Sequence, residues 1–281
     1  MEATIWAFKL QVYHSMNGYS VFSLKNIPEV LEGDSVTDLI FKALGNSRLL
    51  NGDIIVITQK VVSKSEGRVV NLSSITPSPL AMRYAHENDR DPRLIQVILD
   101  ESIEVLAHGR GKPFICRHKN GYVCANAGVD CSNAKPGCCI MLPENPDQSA
   151  LKIREELEQR FGIRIGVVIT DTHGRPFRVS ACGVAIGASG ISVFKNYIGL
   201  KDRAGRIMVS SVQGVADEIA SAASLLMGQG DEGIPVVIIR GLKQYIGDSK
   251  AIELLRSPDK DLFYQAMANS DTLKEEESEV P

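Results

Sequence analysis

The chain predicts an α+β fold, mixed sheets with helices arranged as two lobes of one continuous unit, and three observations carry that reading. Short apolar runs at 52–58, 167–169 and 234–239 have the length and β-branched content of buried strands. Stretches at 36–44, 79–87, 92–104, 145–162 and 214–227 have helical spacing. No Pro/Ser-rich linker separates these segments, so residues 1–270 are expected as one unit, followed by an acidic tail at 271–281 that is too polar to order.

Taken in order, Trp6, Phe8, Leu10 and Val12 alternate over residues 1–18, a strand pattern rather than a targeting peptide. A short helix over 36–44 precedes the buried strand at 52–58. The next run, Q-K-V-V-S-K-S-E-G at 59–67, presents Lys60 and Lys64 four residues apart. On a helix they would share one face and repel unless an anion lay between them, so phosphate contact is expected. The plainer alternative is a solvated turn in which Glu66 neutralises one lysine. Helices at 79–87 and 92–104 are followed by strand-like pieces at 114–116 and 122–125. At 145–162, Asn145 caps a helix, Ala150, Ile153, Leu157 and Phe161 form its apolar face, and Gly162 stops it. The alanine-rich helix at 214–227 should pack tightly, with Asp217 and Glu218 suiting its N-terminal dipole in a structural role.

Three loops carry chemistry. I-T-D-T-H-G-R-P-F-R at 169–178 leaves an apolar run and at once presents an acid, a hydroxyl and two guanidinium groups. Asp171 and Thr172 should sit at a strand end before the turn that Gly174-Arg175-Pro176 forces, with His173 a hydrogen-bonded bystander. N-A-G-V-D-C-S-N at 126–133 offers oxygen atoms from Asp130 and Asn133, and Gly128 lets the backbone approach a ligand. Two acids in two such settings suggest Mg²⁺ or Mn²⁺, with turn formation or capping as the alternative. The glycine-spaced loop at 227–233 can wrap a nucleotide with its backbone amides, or be a plain surface connection. It is no Walker loop, since no Gly-Lys-Ser/Thr is present.

A formal charge of -3, from 31 basic and 34 acidic residues, predicts no general attraction to nucleic acid or anionic membrane. Any phosphate affinity must be local. Six cysteines at 116, 124, 131, 138, 139 and 182 form no C-x-x-C pair and fit reduced cytosolic thiols. Zinc on Cys131, Cys138 and Cys139 would fit structural spacing poorly. No apolar run reaches the length of a membrane span, so a soluble, cytoplasmic protein is expected.

The two acidic loops, with L-P-E-N-P-D-Q-S-A at 142–150, V-A-I-G-A-S-G at 184–190 and M-G-Q-G-D-E-G-I-P at 227–235, resemble the coenzyme F-420:L-glutamate ligase family over residues 27–242. That resemblance implies a GTP-dependent ligase that joins L-glutamate to the coenzyme F-420 precursor and then adds further gamma-linked glutamate. An acyl phosphate intermediate and release of GDP and phosphate go with it. It implies two divalent ions per subunit, Mg²⁺ or Mn²⁺, on Asp130, Asp171, Thr172 and Gln229, with K⁺ a further candidate. GTP contacts are implied at Ile27, Pro28, Glu29, Val30, Gln59, Lys60, Lys64 and Asn133, and at Met227, Gly228, Gln229, Gly230, Asp231, Glu232, Gly233 and Ile234. Asp171, Lys64 and Arg175 would act on the transferred phosphoryl group. Gln229 departs from the carboxylate that relatives can carry, and a neutral oxygen there would weaken the second ion. A homodimer is also implied. The residues alone also fit a non-catalytic nucleotide- or deazaflavin-binding module or a metal-dependent phosphohydrolase, but a simple hydrolase has no need of Lys60, Lys64 and the 227–234 loop.

Overall fold

The computed structural model describes residues 18–266, so the alternation around Trp6 and the acidic tail lie outside the described residues. In chain order the elements are β1 (Ser20–Leu24), α1 (Val36–Leu44), β2 (Ile54–Thr58), α2 (Gln59–Ser65), β3 (Val69–Asn71), α3 (Pro79–Asn88), α4 (Pro92–Asp100) and β4 (Ser102–Ala107). There follow β5 (Ile115–His118), β6 (Val123–Ala125), β7 (Cys138–Ile140), α5 (Pro146–Phe161), β8 (Gly166–Gly174), β9 (Ala181–Ser189), β10 (Lys195–Asn196), β11 (Val212–Gln213), α6 (Val215–Met227) and β12 (Val236–Arg240). Helices and mixed sheets make this an α+β protein.

A five-stranded sheet in the order β1-β12-β2-β8-β9 organises the molecule, with β2 and β8 parallel and the other pairs antiparallel. Its central strands read as continuous apolar runs because both faces are covered. Ile55 and Ile57 join the core shared with α1, α2 and α5, whereas Ile54 and Val56 point to the opposite core, built largely by α6. A third core around Phe114, Ile95 and Ile98 gathers α3, α4 and the small sheets β3-β7 and β4-β5-β6.

The helix ends follow from their caps. Asn145 accepts the Gln148 N–H at 3.0 Å to start α5, and Gly162 ends it in a left-handed conformation. Asp147, in its first turn, accepts backbone N–H groups from Ala188 and Ala251, each at 2.8 Å, tying the helix to β9 and to the chain beyond β12. Where a helix over 92–104 was expected, α4 stops at Asp100 and the chain turns into β4. Ser102 Oγ donates to the Ile98 carbonyl at 2.6 Å, and β4 then pairs with β5. Glu101 fixes this corner from a buried position, meeting Arg68 at 2.5 Å, His118 at 3.4 Å and Lys119 at 3.5 Å. Burial alone would push its carboxyl up, but the His118 hydrogen bond and the Arg68 and Lys119 charges outweigh that and hold it below the usual carboxylate range.

A bulge at Ile186 lets β9 place Ile186 and Gly187 on the α5 side in succession. Gly187 is required there, because a Cβ would stand 2.4 Å from the Pro146 carbonyl oxygen. Buried Tyr122 donates its hydroxyl to the Ile186 carbonyl, and burial raises its pKa.

Tyr122→Phe leaves that buried carbonyl without its donor and should destabilise the fold by about 1–3 kcal/mol, read as a lower urea midpoint at unchanged slope. Glu101→Gln should cost a similar amount, about 1–3 kcal/mol, at neutral pH. Because the folded carboxyl is depressed, its stabilisation is complete above the unfolded value of about 4.3 and is lost as pH falls through the folded one. Urea titrations should therefore show wild type and variant converging below about pH 4.

Candidate functional site

The parallel register Thr58↔Thr170 brings the carboxyl ends of β2 and β8 to the same sheet edge. Gln59 and Lys60 leave one strand there, and Asp171 and Thr172 follow on the other. Because β12 runs antiparallel to β2, the segment entering it arrives at the same edge, where the Pro235 carbonyl accepts the Thr58 N–H at 2.9 Å. Ligand sites of open mixed sheets form at such carboxyl ends. Asp171 and Thr172 do not end a strand as expected; β8 continues to Gly174, paired with β9. They lie just beyond the last residue that β2 pairs, which exposes one side of the hairpin to the cleft.

Asp130 comes from outside this sheet. Its backbone exchanges both hydrogen bonds with Ile140, at 2.9 and 2.8 Å. The approach runs through Asn126, Ala127 and Gly128, all at positive φ, and a Cβ on Gly128 would stand 2.5 Å from Leu142. Asn126 holds its unfavourable conformation by accepting the Phe114 N–H at 3.1 Å and an Arg90 N–H at 2.8 Å.

A cavity of about 500 Å³ opens at this edge. Ile27, Pro28, Glu29, Val30, Gln59, Lys60, Lys64, Asp130, Asn133, Asp171 and Thr172 line it, together with Met227, Gly228, Gln229, Gly230, Asp231, Gly233 and Ile234. Two expected residues stay out. Arg175 is exposed in the turn between β8 and β9, and Glu232 folds back on its own loop, accepting the Gly230 N–H at 2.8 Å. Thr58, Val61, Ser132, Thr170, Ser224 and Pro235 also line the cavity and were not anticipated. Of these Ser132 had a signal: a serine two residues after an aspartate commonly donates its N–H to that carboxylate, here at 2.8 Å.

The charges are paired across segments. Segment 59–65 is helical, and its two lysines find separate acids rather than one anion. Lys60 Nζ lies 2.6 Å from Asp130 Oδ2 and donates to Ser132 Oγ at 2.6 Å, while Lys64 pairs with Glu29. Glu66 neutralises neither; it accepts the Ser149 hydroxyl at 2.5 Å. Burial would raise the Asp130 carboxyl, but the Lys60 ammonium and the Ser132 donors hold it below its ordinary value. His173 Nε2 sits 3.1 Å from Asp171 Oδ2, leaving Oδ1 the freer oxygen. Gln229 Nε2 donates to Thr172 Oγ1 at 3.1 Å, which leaves its amide oxygen available.

Among the described residues no three His, Cys, Asp or Glu side chains converge as a metal cage, and all six cysteines are free thiols. The donor set nevertheless fits Mg²⁺ or Mn²⁺. Two carboxylates, a hydroxyl and an amide oxygen in one cavity match the habit of Mg²⁺, which takes one or two protein carboxylates and completes its shell with phosphate oxygens and water. No described helix is long and apolar enough to cross a membrane.

Comparison with known proteins places the chain in a family. Residues 25–241 match the model of the family described as F420-0:Gamma-glutamyl ligase. A coenzyme F420:L-glutamate ligase of Methanopyrus kandleri is 43% identical over 255 residues, covering 88% of this chain and 100% of that protein. The protein of the same name from Methanocaldococcus jannaschii is 47% identical over 213 residues, covering 76% of this chain and 85% of its own, and that from Archaeoglobus fulgidus is 40% identical over 248 residues, covering 88% and 97%. With a family model spanning most of its length and relatives of this closeness, the chain belongs to the F420-0:gamma-glutamyl ligase family and is an enzyme.

Proposed function

We propose that the chain joins L-glutamate to the coenzyme F-420 precursor through an amide bond, driven by GTP, and then adds further gamma-linked glutamate. The observation that carries this is the convergence in one cavity of Asp130, Asp171, Lys60, Lys64 and a glycine-spaced loop from separate segments. The names of the relatives supply the glutamate and the coenzyme, and the family resemblance supplies GTP.

A carboxylate is a poor electrophile, so the reaction needs activation. In the proposed sequence the precursor carboxylate oxygen attacks the γ-phosphorus of GTP, the bond to the β-phosphate oxygen breaks, and GDP leaves. The free amine of glutamate then attacks the acyl carbon; the C–N bond forms, phosphate departs with the C–O electron pair, and the amine loses a proton. Catalysis of this kind is mainly positioning and charge stabilisation. Asp130, Asp171, Thr172 and Gln229 would hold two Mg²⁺ or Mn²⁺ ions, which would supply charge neutralisation on the phosphate oxygens. Lys64, only slightly exposed, is placed to follow charge on the transferred group once it leaves Glu29. The Gly228 N–H is held by the Ser224 carbonyl and the Gly230 N–H by Glu232, so the 227–234 loop would turn its amides to phosphate only after Glu232 lets go, while Ile27 to Val30 also line the cavity. Arg175 lies in an exposed turn outside the cavity lining, so Lys64 carries the phosphoryl role here. The separate core around Phe114 supports a second lobe, and the resemblance supports a homodimer.

Phosphate release from GTP should require precursor and glutamate together; release without glutamate would favour a hydrolase, and no release a binding module. Asp171→Asn should lower turnover by about 100-fold or more while leaving the thermal midpoint within a few degrees. Turnover comparable to wild type would remove Asp171 from the metal role. Lys64→Ala should raise the apparent KM for GTP by about tenfold, the loss of one charge-assisted contact, and an unchanged value would exclude the phosphate contact.

A further inference from the structure

Lys60 stands where a cation would bind. Its ammonium is 2.6 Å from Asp130 Oδ2, an oxygen that also accepts the Ser132 hydroxyl at 2.7 Å, and it donates to that same hydroxyl at 2.6 Å. The three groups form a closed triangle on the cavity wall. A divalent ion cannot take Oδ2 while the ammonium remains, because two cations would share one oxygen at contact distance with little water between them. Lys60 has room to leave, since it extends from the first turn of α2 and its side chain is 24% exposed. The same cavity is where a triphosphate would offer a better acceptor than a single carboxylate.

Resting on the metal and nucleotide reading above, we propose that Lys60 is a built-in placeholder cation on Asp130, exchanged for a divalent ion when triphosphate arrives to receive the lysine. Each partner then removes an obstacle to the other. The ion frees Lys60 for phosphate, and phosphate draws Lys60 off the ion's ligand. Metal and nucleotide therefore bind with positive coupling, and by linkage the tightening is the same in both directions. Ser132 belongs to the exchange, because once Asp130 Oδ2 is taken its hydroxyl is free to donate to phosphate.

The test is Mn²⁺ binding without turnover, read from the loss of the free-ion electron paramagnetic resonance signal, with and without a non-hydrolysable GTP analogue. Wild type should bind Mn²⁺ weakly alone and more tightly with the analogue. Lys60→Met, which removes the competing charge at similar length, should bind Mn²⁺ alone about fivefold or more tightly than wild type. It should also lose most of the tightening by the analogue. Lys60→Arg keeps the charge and should bind Mn²⁺ alone as weakly as wild type, which separates charge removal from a change of shape. Mn²⁺ affinity in Lys60→Met equal to or below wild type, with wild type still binding in the presence of the analogue, would overturn the exchange while leaving the metal site intact. Failure of wild type to bind Mn²⁺ any better than Asp130→Asn under either condition would overturn the metal reading, and the exchange with it.

Discussion

The parallel pairing of β2 with β8 is the constraint on which the rest of the molecule depends. Parallel strands end at the same edge, so one register sets Gln59 and Lys60 beside Asp171 and Thr172 without any contact between those side chains being needed to do so. The antiparallel β12 brings the 227–235 segment to the same place from the other direction. Both faces of this central trio are sealed by helices, and the buried β-branched residues leave no freedom to slip, since a shift of one residue would exchange the two cores. The scaffold and the sheet side of the cavity are thus fixed by one packing decision.

Asp130 is the part that the sheet does not position. It is delivered by a run of three left-handed residues and held by a two-bond pairing with Ile140, so the site straddles the junction between the central sheet and the third core. Glu101 and Arg68 brace the same junction from behind, with the Arg68 Nε donating to the Leu142 carbonyl at 3.0 Å. Both lysines facing the cavity are paired, Lys60 with Asp130 and Lys64 with Glu29, while Asp171 has only His173 beside it, which fits a chain whose overall charge is only -3 and whose affinity for phosphate must be local. Self-neutralisation of this kind keeps a cavity stable while leaving each charge ready for a ligand that satisfies it better.

Much of this was legible in the residues because local signals agreed with the global fold. Asn145 and Gly162 mark both ends of α5, the apolar run at 52–58 contains β2, and that at 234–239 covers β12 up to its last residue, Arg240. The acidic loops at Asp130 and Asp171 were identifiable because small residues and turn formers surround a carboxylate. What stayed hidden depends on distant partners. Nothing near Lys64 reveals that Glu29, 35 residues away, will be its counter-ion, and nothing in 92–104 shows that pairing with β5 will overrule helical spacing after Asp100. Residues 169–178 read as a strand followed by a turn, yet β9 extends the ladder to Gly174 and carries Arg175 away from the cavity. Tertiary pairing, invisible to local propensity, decided each of these cases.

The most direct measurement is anomalous scattering from a crystal grown with Mn²⁺ and a non-hydrolysable GTP analogue. Peaks within about 2.5 Å of oxygens from both Asp130 and Asp171, with the triphosphate against Lys60 and Lys64, are the expected result. Manganese absent from both carboxylates while nucleotide fills the cavity would contradict it.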